Sequence, residues 1–290
     1  MTPNNNLSVL PFYTQLAEQN HRKSYAFGDI YPLFSPNNNF LPFQIIRPNR
    51  ANQITAVSLY KADGTVVANN IVGWLNEGNL VIKQYPALGY DVIVYPGIGS
   101  LPVQYPIGQY YLAISDGVTI WYSDIFTMVN DLSGYLKIEW WDIDDMVFDG
   151  GRIVYGVPPI FKNTLYVFSE LGKPDYVFEE DGEDRDGYFF PEKQISEKTY
   201  NFTMLAPEFL CDAMRIIRMS DYVLVTDKYG RQYDCDTFLI TPKWQTQGNI
   251  ASVECEFQCA TVIKKIGRGY IQRYKGDYNK DFNNDFNNAD

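Results

Sequence analysis

Between Thr199 and Gly269 the sequence reads as a strand, one helix and then more strands, with no catalytic constellation along it. The helix is the clearest single element and is predicted over 207–219. Pro207 fits a first helical turn, where its missing N–H has no intrahelical partner to lose. Glu208 and Asp212 fall near the positive end of the helix dipole, and Arg215 and Arg218 near the negative end. Phe209, Leu210, Ala213, Met214 and Ile217 make one apolar stripe, the pattern of a helix laid on a sheet.

The rest of the chain points to the same class. From Phe40 to Val129 short alternating runs follow one another, FLPFQIIR, ITAVSLYK, TVVANNIV, NLVIKQY, YDVIVYP, QYYLAISD and VTIWYSDIFTMV. Asp63-Gly64 and Asp116-Gly117 each separate two such runs, a strong hairpin signal. About seven strands in this length is the count of an immunoglobulin-like β-sandwich. The polar break Asn130–Gly134 is the expected boundary. The second domain, 135–269, has expected strands Tyr135–Trp141, Arg152–Tyr155, Thr164–Phe168, Tyr200–Leu205, Tyr222–Asp227, Gln232–Ile240 and Ala251–Ile266. The fold expected is therefore mainly β, an immunoglobulin-like sandwich followed by a sandwich carrying one packed helix. Tyr and Phe dominate an aromatic share of 16%, which suits pleated surfaces and broad contact faces.

Three segments fall outside these bodies. Residues 1–39 read as an irregular arm whose Phe12, Tyr13, Tyr25, Phe27, Tyr31 and Phe34 could dock on its own domain or a neighbour. Glu179–Glu197, EEDGEDRDGYFFPEKQISE, reads as a long polar loop, of the length usually tied to function or ordered by a partner. Residues 270–290 form a tail repeating DYNK, DFNN, DFNN, which is too polar to bury a core of its own.

Candidate chemistry is sparse. The net charge of −11 disfavours nucleic acid and anionic membrane as partners. No secretory signal peptide and no apolar run of membrane-spanning length is visible, so synthesis in a cytoplasm is expected. His21 is the sole histidine and sits in the polar arm, without the scaffold that a nucleophile–base pair needs. Cys255 and Cys259 share one predicted strand at roughly 13 Å, beyond disulfide reach, and with Cys211 and Cys235 read as small buried thiols. Asp142, Asp144, Asp145 and Asp149 form one acidic cluster, and Glu179, Glu180, Asp181, Glu183, Asp184 and Asp186 another. Both read as solvated loops without calcium-loop spacing. Gly97 and Gly99 lack the strand-to-helix setting of a phosphate loop, and Gly150-Gly151 reads as a hairpin turn. No catalytic, metal or cofactor residue is assigned, and an enzyme is not expected. The runner-up reading is a carbohydrate-binding or adhesion module stacking sugars on Trp121, Trp140 or Trp141.

The helix-bearing segment FFPEKQISEKTYNFTMLAPEFLCDAMRIIRMSDYV, together with KWQTQGNIASVECEFQCATVIKKIG, resembles proteins of Bacteroidetes phages and prophages, including crAss-like phages. The order of elements in the second domain is similar to tail-tube and distal-tail proteins. That resemblance implies a non-enzymatic structural protein of the virion, made in the host cytoplasm. Its partners would be its own copies and other tail proteins, in a ring or as a connector. The departures are the lack of an evident long hairpin and the extra loop Glu179–Glu197.

Overall fold

The computed structural model describes residues 7–16, 33–71, 79–98, 100–101, 103–148, 151–156, 160–185, 187–244 and 250–265. His21, Tyr25, Phe27, Tyr31, Gly99, Asp149, Gly150, Asp186 and the tail 270–290 lie outside them. The described fold is mainly β, with several sheets and one short helix.

The first half holds β1 (Phe12–Tyr13), β2 (Phe34–Pro36), β3 (Phe43–Pro48), β4 (Ala56–Lys61), β5 (Val66–Ala68), β6 (Val81–Tyr85), β7 (Tyr90–Tyr95), β8 (Gly108–Ser115), β9 (Ile120–Ser123) and β10 (Phe126–Val129). One sheet runs β1-β9-β8-β10-β2 with β4 and β5 beyond β8; a three-stranded sheet runs β3-β7-β6. Both Asp-Gly hairpins form, with Gly64 at φ 92° and Gly117 at φ 82°, backbone settings that glycine adopts freely. The run 118–129 is two strands. Both lie along one side of β8, and the break falls at Asp124, whose Oδ1 accepts the Ile125 N–H while Ser123 Oγ accepts that of Leu112.

Of the two docking places expected for the N-terminal arm, its described residues take its own domain, and two short pieces of it are strands rather than irregular chain. Phe12–Tyr13 and Phe34–Pro36 pair as strands with β9 and β10 on the same side of the larger sheet, across β8 from β4, and Leu7, Val9, Leu10 and Leu33 are buried. Their apolar side chains bury in the first half's own core rather than waiting for a neighbour.

Asp116 does more than start a turn. Its Oδ1 accepts the Val118 and Thr119 N–H groups, while Oδ2 takes Arg47 Nη1 at 3.1 Å and Arg50 Nη1 at 3.2 Å. Arg47 also approaches Asp91 at 3.5 Å, and all three of Arg47, Asp91 and Asp116 are buried. Desolvation pushes the Asp116 pKa up, but the two N–H donors and the two guanidiniums outweigh it, and the net shift is downward.

The second half holds β11 (Leu136–Trp141), β12 (Met146–Phe148), β13 (Gly151–Ile153), β14 (Asn163–Val167), β15 (Asp175–Arg185), β16 (Tyr188–Pro207), α1 (Glu208–Met214), β17 (Tyr222–Thr226), β18 (Gln232–Trp244) and β19 (Ile250–Lys265). Seven of these strands form an antiparallel sheet in the order β14-β11-β17-β18-β19-β16-β15. The helix is shorter than expected. It stops at Met214 and a 3-10 turn follows at Ile217–Met219, while Pro207 ends β16 in extended conformation and caps the helix from outside. Leu210, Ala213, Met214 and Ile217 are buried as the stripe requires; Phe209 is half-buried. Gly151 pairs with Phe148 as the first residue of β13, so it belongs to the strand rather than the turn.

Among the described residues no strand pairing crosses from the first half to the second. Side chains join them instead. The Gln44 amide donates to the Val154 carbonyl at 2.8 Å and accepts from the Val154 N–H at 2.9 Å, mimicking a strand partner. Tyr85 Oη donates to Asp145 Oδ2 at 2.7 Å, and Phe34 packs edge-on against Tyr135 at 5.0 Å. Buried apolar residues of both halves form one continuous cluster.

Candidate functional site: a two-faced β arm

The segment read as a polar loop is a long β-hairpin, which corrects that expectation. Asp175–Arg185 pairs with Tyr188–Thr199 throughout, turning at Gly187 (φ 81°). Charge density suggested a loop, yet a strand with solvent on both faces has no need of an apolar side. At about 3.3 Å per residue, the 20 residues of β16 span roughly 65 Å. Its C-terminal part lies in the body of the sheet, where Tyr200, Phe202, Met204 and Ala206 point into the core. Its N-terminal part, with β15 and the end of β19, extends past the core as an arm.

The change from body to arm is marked by a bulge. From Lys198↔Cys259 to Ser196↔Val262, two steps along β16 match three along β19. The extra residue falls at Ala260, which sits at φ 54°, uncommon for a residue with a Cβ. A second irregularity lies opposite, at Asp236 of β18, whose Oδ2 accepts the Thr261 hydroxyl at 2.7 Å. The bulge also shifts the alternation of β19. Val253, Cys255, Phe257 and Cys259 face the core before it, and Val262 and Lys264 continue that same face after it.

On this face the apolar stripe outruns its cover. Tyr176, Phe178 and Val262 extend the core-facing side of the sheet but are 71%, 62% and 63% exposed. Cross-strand rows give its chemistry: Tyr176 opposite Lys198, then Phe178–Ser196–Val262, then Glu180–Gln194–Lys264. The Lys198 ammonium lies 5.0 Å from the Tyr200 ring centroid and 6.0 Å from that of Tyr176, and Gln194 Nε2 donates to Glu180 at 2.6 Å. The opposite face carries the rows Glu179–Ile195–Ile263 and Asp181–Lys193–Lys265. Acid gathers on the edge strand β15 and base at the end of β19.

The sequence-predicted acidic clusters do not come together as sites. Asp142 is buried and accepts the Asp221 N–H at 2.7 Å; burial and the neighbouring Asp221 carboxylate raise its pKa. Asp145 pairs with Arg152 at 3.1 Å and holds Tyr85, whose pKa burial and that carboxylate push up to about 12. Asp144 is exposed. The carboxylates of β15 alternate between its two faces, so they are dispersed along the arm. Beside Asp142, Asn163, Trp140 Nε1 and Tyr155 Oη are buried without a well-formed hydrogen bond, although Tyr155 adjoins Asn163 and Ser220.

The four thiols are free; Cys211, Cys255 and Cys259 are buried and Cys235 is partly so. Burial raises all four, Cys211 to about 11 and Cys255 to about 12, which keeps them protonated and unreactive at neutral pH. Trp121 and Trp140 are buried, and Trp141 is stacked on Tyr222 at 5.2 Å with Lys162 Nζ 3.9 Å from its ring centroid. None of the three presents a free face to a sugar. A shallow groove of about 500 Å³ on the outer side of the sheet is lined by polar residues with Leu239 among them, including Asn201, Thr203, Glu254 and Glu256.

No family model, no curated protein and no solved structure matches this chain.

Proposed function

We propose that this chain is a non-enzymatic assembly protein of a phage tail or baseplate, acting as a ring component or a connector between rings. The observation that carries the reading is the arm: a β-hairpin continuous with the sheet of a packed body, with large apolar side chains exposed on both faces. Tyr176, Phe178, Val262 and Ile263 leave apolar area in water that only association can bury. The hairpin also removes the departure from the tail-tube pattern, because a long hairpin is what that comparison expects. We read the first half as an immunoglobulin-like sandwich, a module suited to decorating or bracing an assembly. Support comes from its two sheets, β1-β9-β8-β10-β2 with β4 and β5, and β3-β7-β6. The sugar-binding alternative loses its named residues, since their aromatic faces are covered within the chain.

The test is to raise antibodies against the purified chain and apply them to particles released by cells that encode it. Decoration of tails or baseplates at a repeated position supports the reading. Particles free of the chain, with the protein recovered only from cell extract, would refute it.

A further inference from the structure

The inference that follows rests on the assembly reading and specifies the contact. We infer that the core-facing side of the arm pairs with the same face of a second copy, about a two-fold axis parallel to its strands.

The order of residues across each row makes the face self-complementary. Across the arm the strands run β15, β16, β19, and each row is read in that order: Glu180–Gln194–Lys264 and Phe178–Ser196–Val262. A two-fold axis along the strands, passing between two stacked faces, leaves each row at its own height and reverses its order. Glu180 of one copy then lies over Lys264 of the other, and Lys264 over Glu180. One row along, Phe178 meets Val262 twice. The small or polar centre residues, Ser196 and Gln194, meet themselves, and one row nearer the body Lys198 meets Lys198, a like-charge contact that weakens the pairing. Both acid–base contacts and both apolar contacts are satisfied by the single operation, which is what a self-complementary patch requires.

Other ways of joining two arms fit less well. Edge-to-edge pairing of β15 with β15 would set a strand carrying Asp175, Glu179, Glu180, Asp181, Glu183 and Asp184 beside its own copy. Like charges directly opposite one another are destabilising. The other outer strand of the sheet, β14, has most of its residues buried and lies close to β2 of the first half, so it offers no open edge for β15 to extend. Stacking the faces needs no open edge and reduces the like-charge contacts to the one between the two Lys198 side chains.

The bulge at Ala260 has a place in this contact. Without the extra residue, Val262 and Lys264 would point to the other side of β19, and the face would lose both its apolar partner for Phe178 and its positive partner for Glu180. The left-handed alanine therefore holds the complementary half of the patch in register.

Size sets the expected strength. Three strands about 5 Å apart and some six residues long make a face of roughly 300 Å² per copy, well below the approximately 800 Å² per partner of a stable complex. Isolated pairs should therefore be weak and populated only toward the top of a concentration series, strengthened when other contacts hold many copies together. A two-fold contact joins copies in pairs, so within a larger particle it links facing layers, while different surfaces close each ring.

Sedimentation of the full chain across a concentration series up to about 1 mM tests this, with circular dichroism confirming that each variant is folded. The wild type should show reversible pairing that weakens with salt. Glu180→Lys and Lys264→Glu should each weaken pairing about tenfold, since each reverses two symmetry-related charge contacts. The double variant should return to within about threefold of wild type, and Phe178→Ser should weaken pairing at least as much as either single charge reversal. Association that ignores all of these changes, or a double variant no better than the singles, overturns the pairing and leaves the assembly reading standing. A chain that stays monomeric throughout overturns the pairing, and the assembly reading then stands or falls on the decoration of particles.

Discussion

Replacing Gln44 by Met tests how the two halves are held. The Gln44 amide supplies the partner for both the N–H and the carbonyl of Val154, at 2.9 and 2.8 Å, and both residues are buried. Methionine keeps the length of the side chain, so the space stays filled and the packing cost remains small. It offers no donor and only a weak acceptor. Two buried backbone groups then lose their partners, at about 1–3 kcal/mol each, partly offset because the glutamine amide itself no longer has to be desolvated. A net loss of about 3 kcal/mol follows. Urea unfolding followed by tryptophan fluorescence is suited to the question, because Trp121 lies in the first half and Trp140 and Trp141 in the second. The variant should unfold at lower urea, with the two halves separating into distinct transitions as their joint weakens. A loss below about 1 kcal/mol with one unchanged cooperative transition would refute the reasoning, since the paired amide would then contribute no more than an exposed hydrogen bond.

Asp116→Asn should destabilise the chain by about 3–5 kcal/mol in chemical unfolding near neutral pH, because it leaves the buried Arg47 without its nearest carboxylate. The same residue gives a pH signature. Asp116 and Asp227 have folded pKa values below those of the unfolded chain, so their contribution is present above about pH 4 and is lost as pH falls through the folded values. Asp142 is raised and works in the opposite sense: its contribution is present below about pH 4 and is lost as pH rises from there through its raised folded value. Acid titration by circular dichroism should therefore show a shallower acid limb for Asp116→Asn and Asp227→Asn, and a steeper one for Asp142→Asn. At the bulge, Ala260→Gly should leave stability within about 1 kcal/mol of wild type or raise it, whereas Ala260→Val should lower it by about 1–2 kcal/mol, measured by thermal unfolding.

Much of the body was legible because period and turn chemistry agree there. The two Asp-Gly hairpins, the alternation in β4, β11 and β19, and the apolar stripe of α1 each state their own geometry locally. The arm was not legible for a physical reason. A strand exposed on both faces carries no burial alternation, and the carboxylates of β15 are common in loops as well. A signal did exist in retrospect: Tyr176, Val177 and Phe178 before the acidic run, and Tyr188, Phe189 and Phe190 after Gly187, bracket the turn as two short aromatic runs. The N-terminal strands were missed because Phe12–Tyr13 and Phe34–Pro36 are too short for periodicity and acquire their shape from pairing with β9 and β10. Gln44 and Asp116 illustrate the remaining gap. A polar residue inside an apolar run, or in a turn, gives no hint of the partner that awaits it 110 or 69 residues away.

Hydrogen–deuterium exchange on the full chain, compared between dilute and concentrated solution, tests most directly whether the arm is where copies meet. Protection should rise with concentration in peptides spanning 176–196 and 262–265, while the core strands β8 and β11 exchange alike in both. Concentration-dependent protection located elsewhere, with the arm unchanged, would contradict the assignment of the arm as the assembling surface.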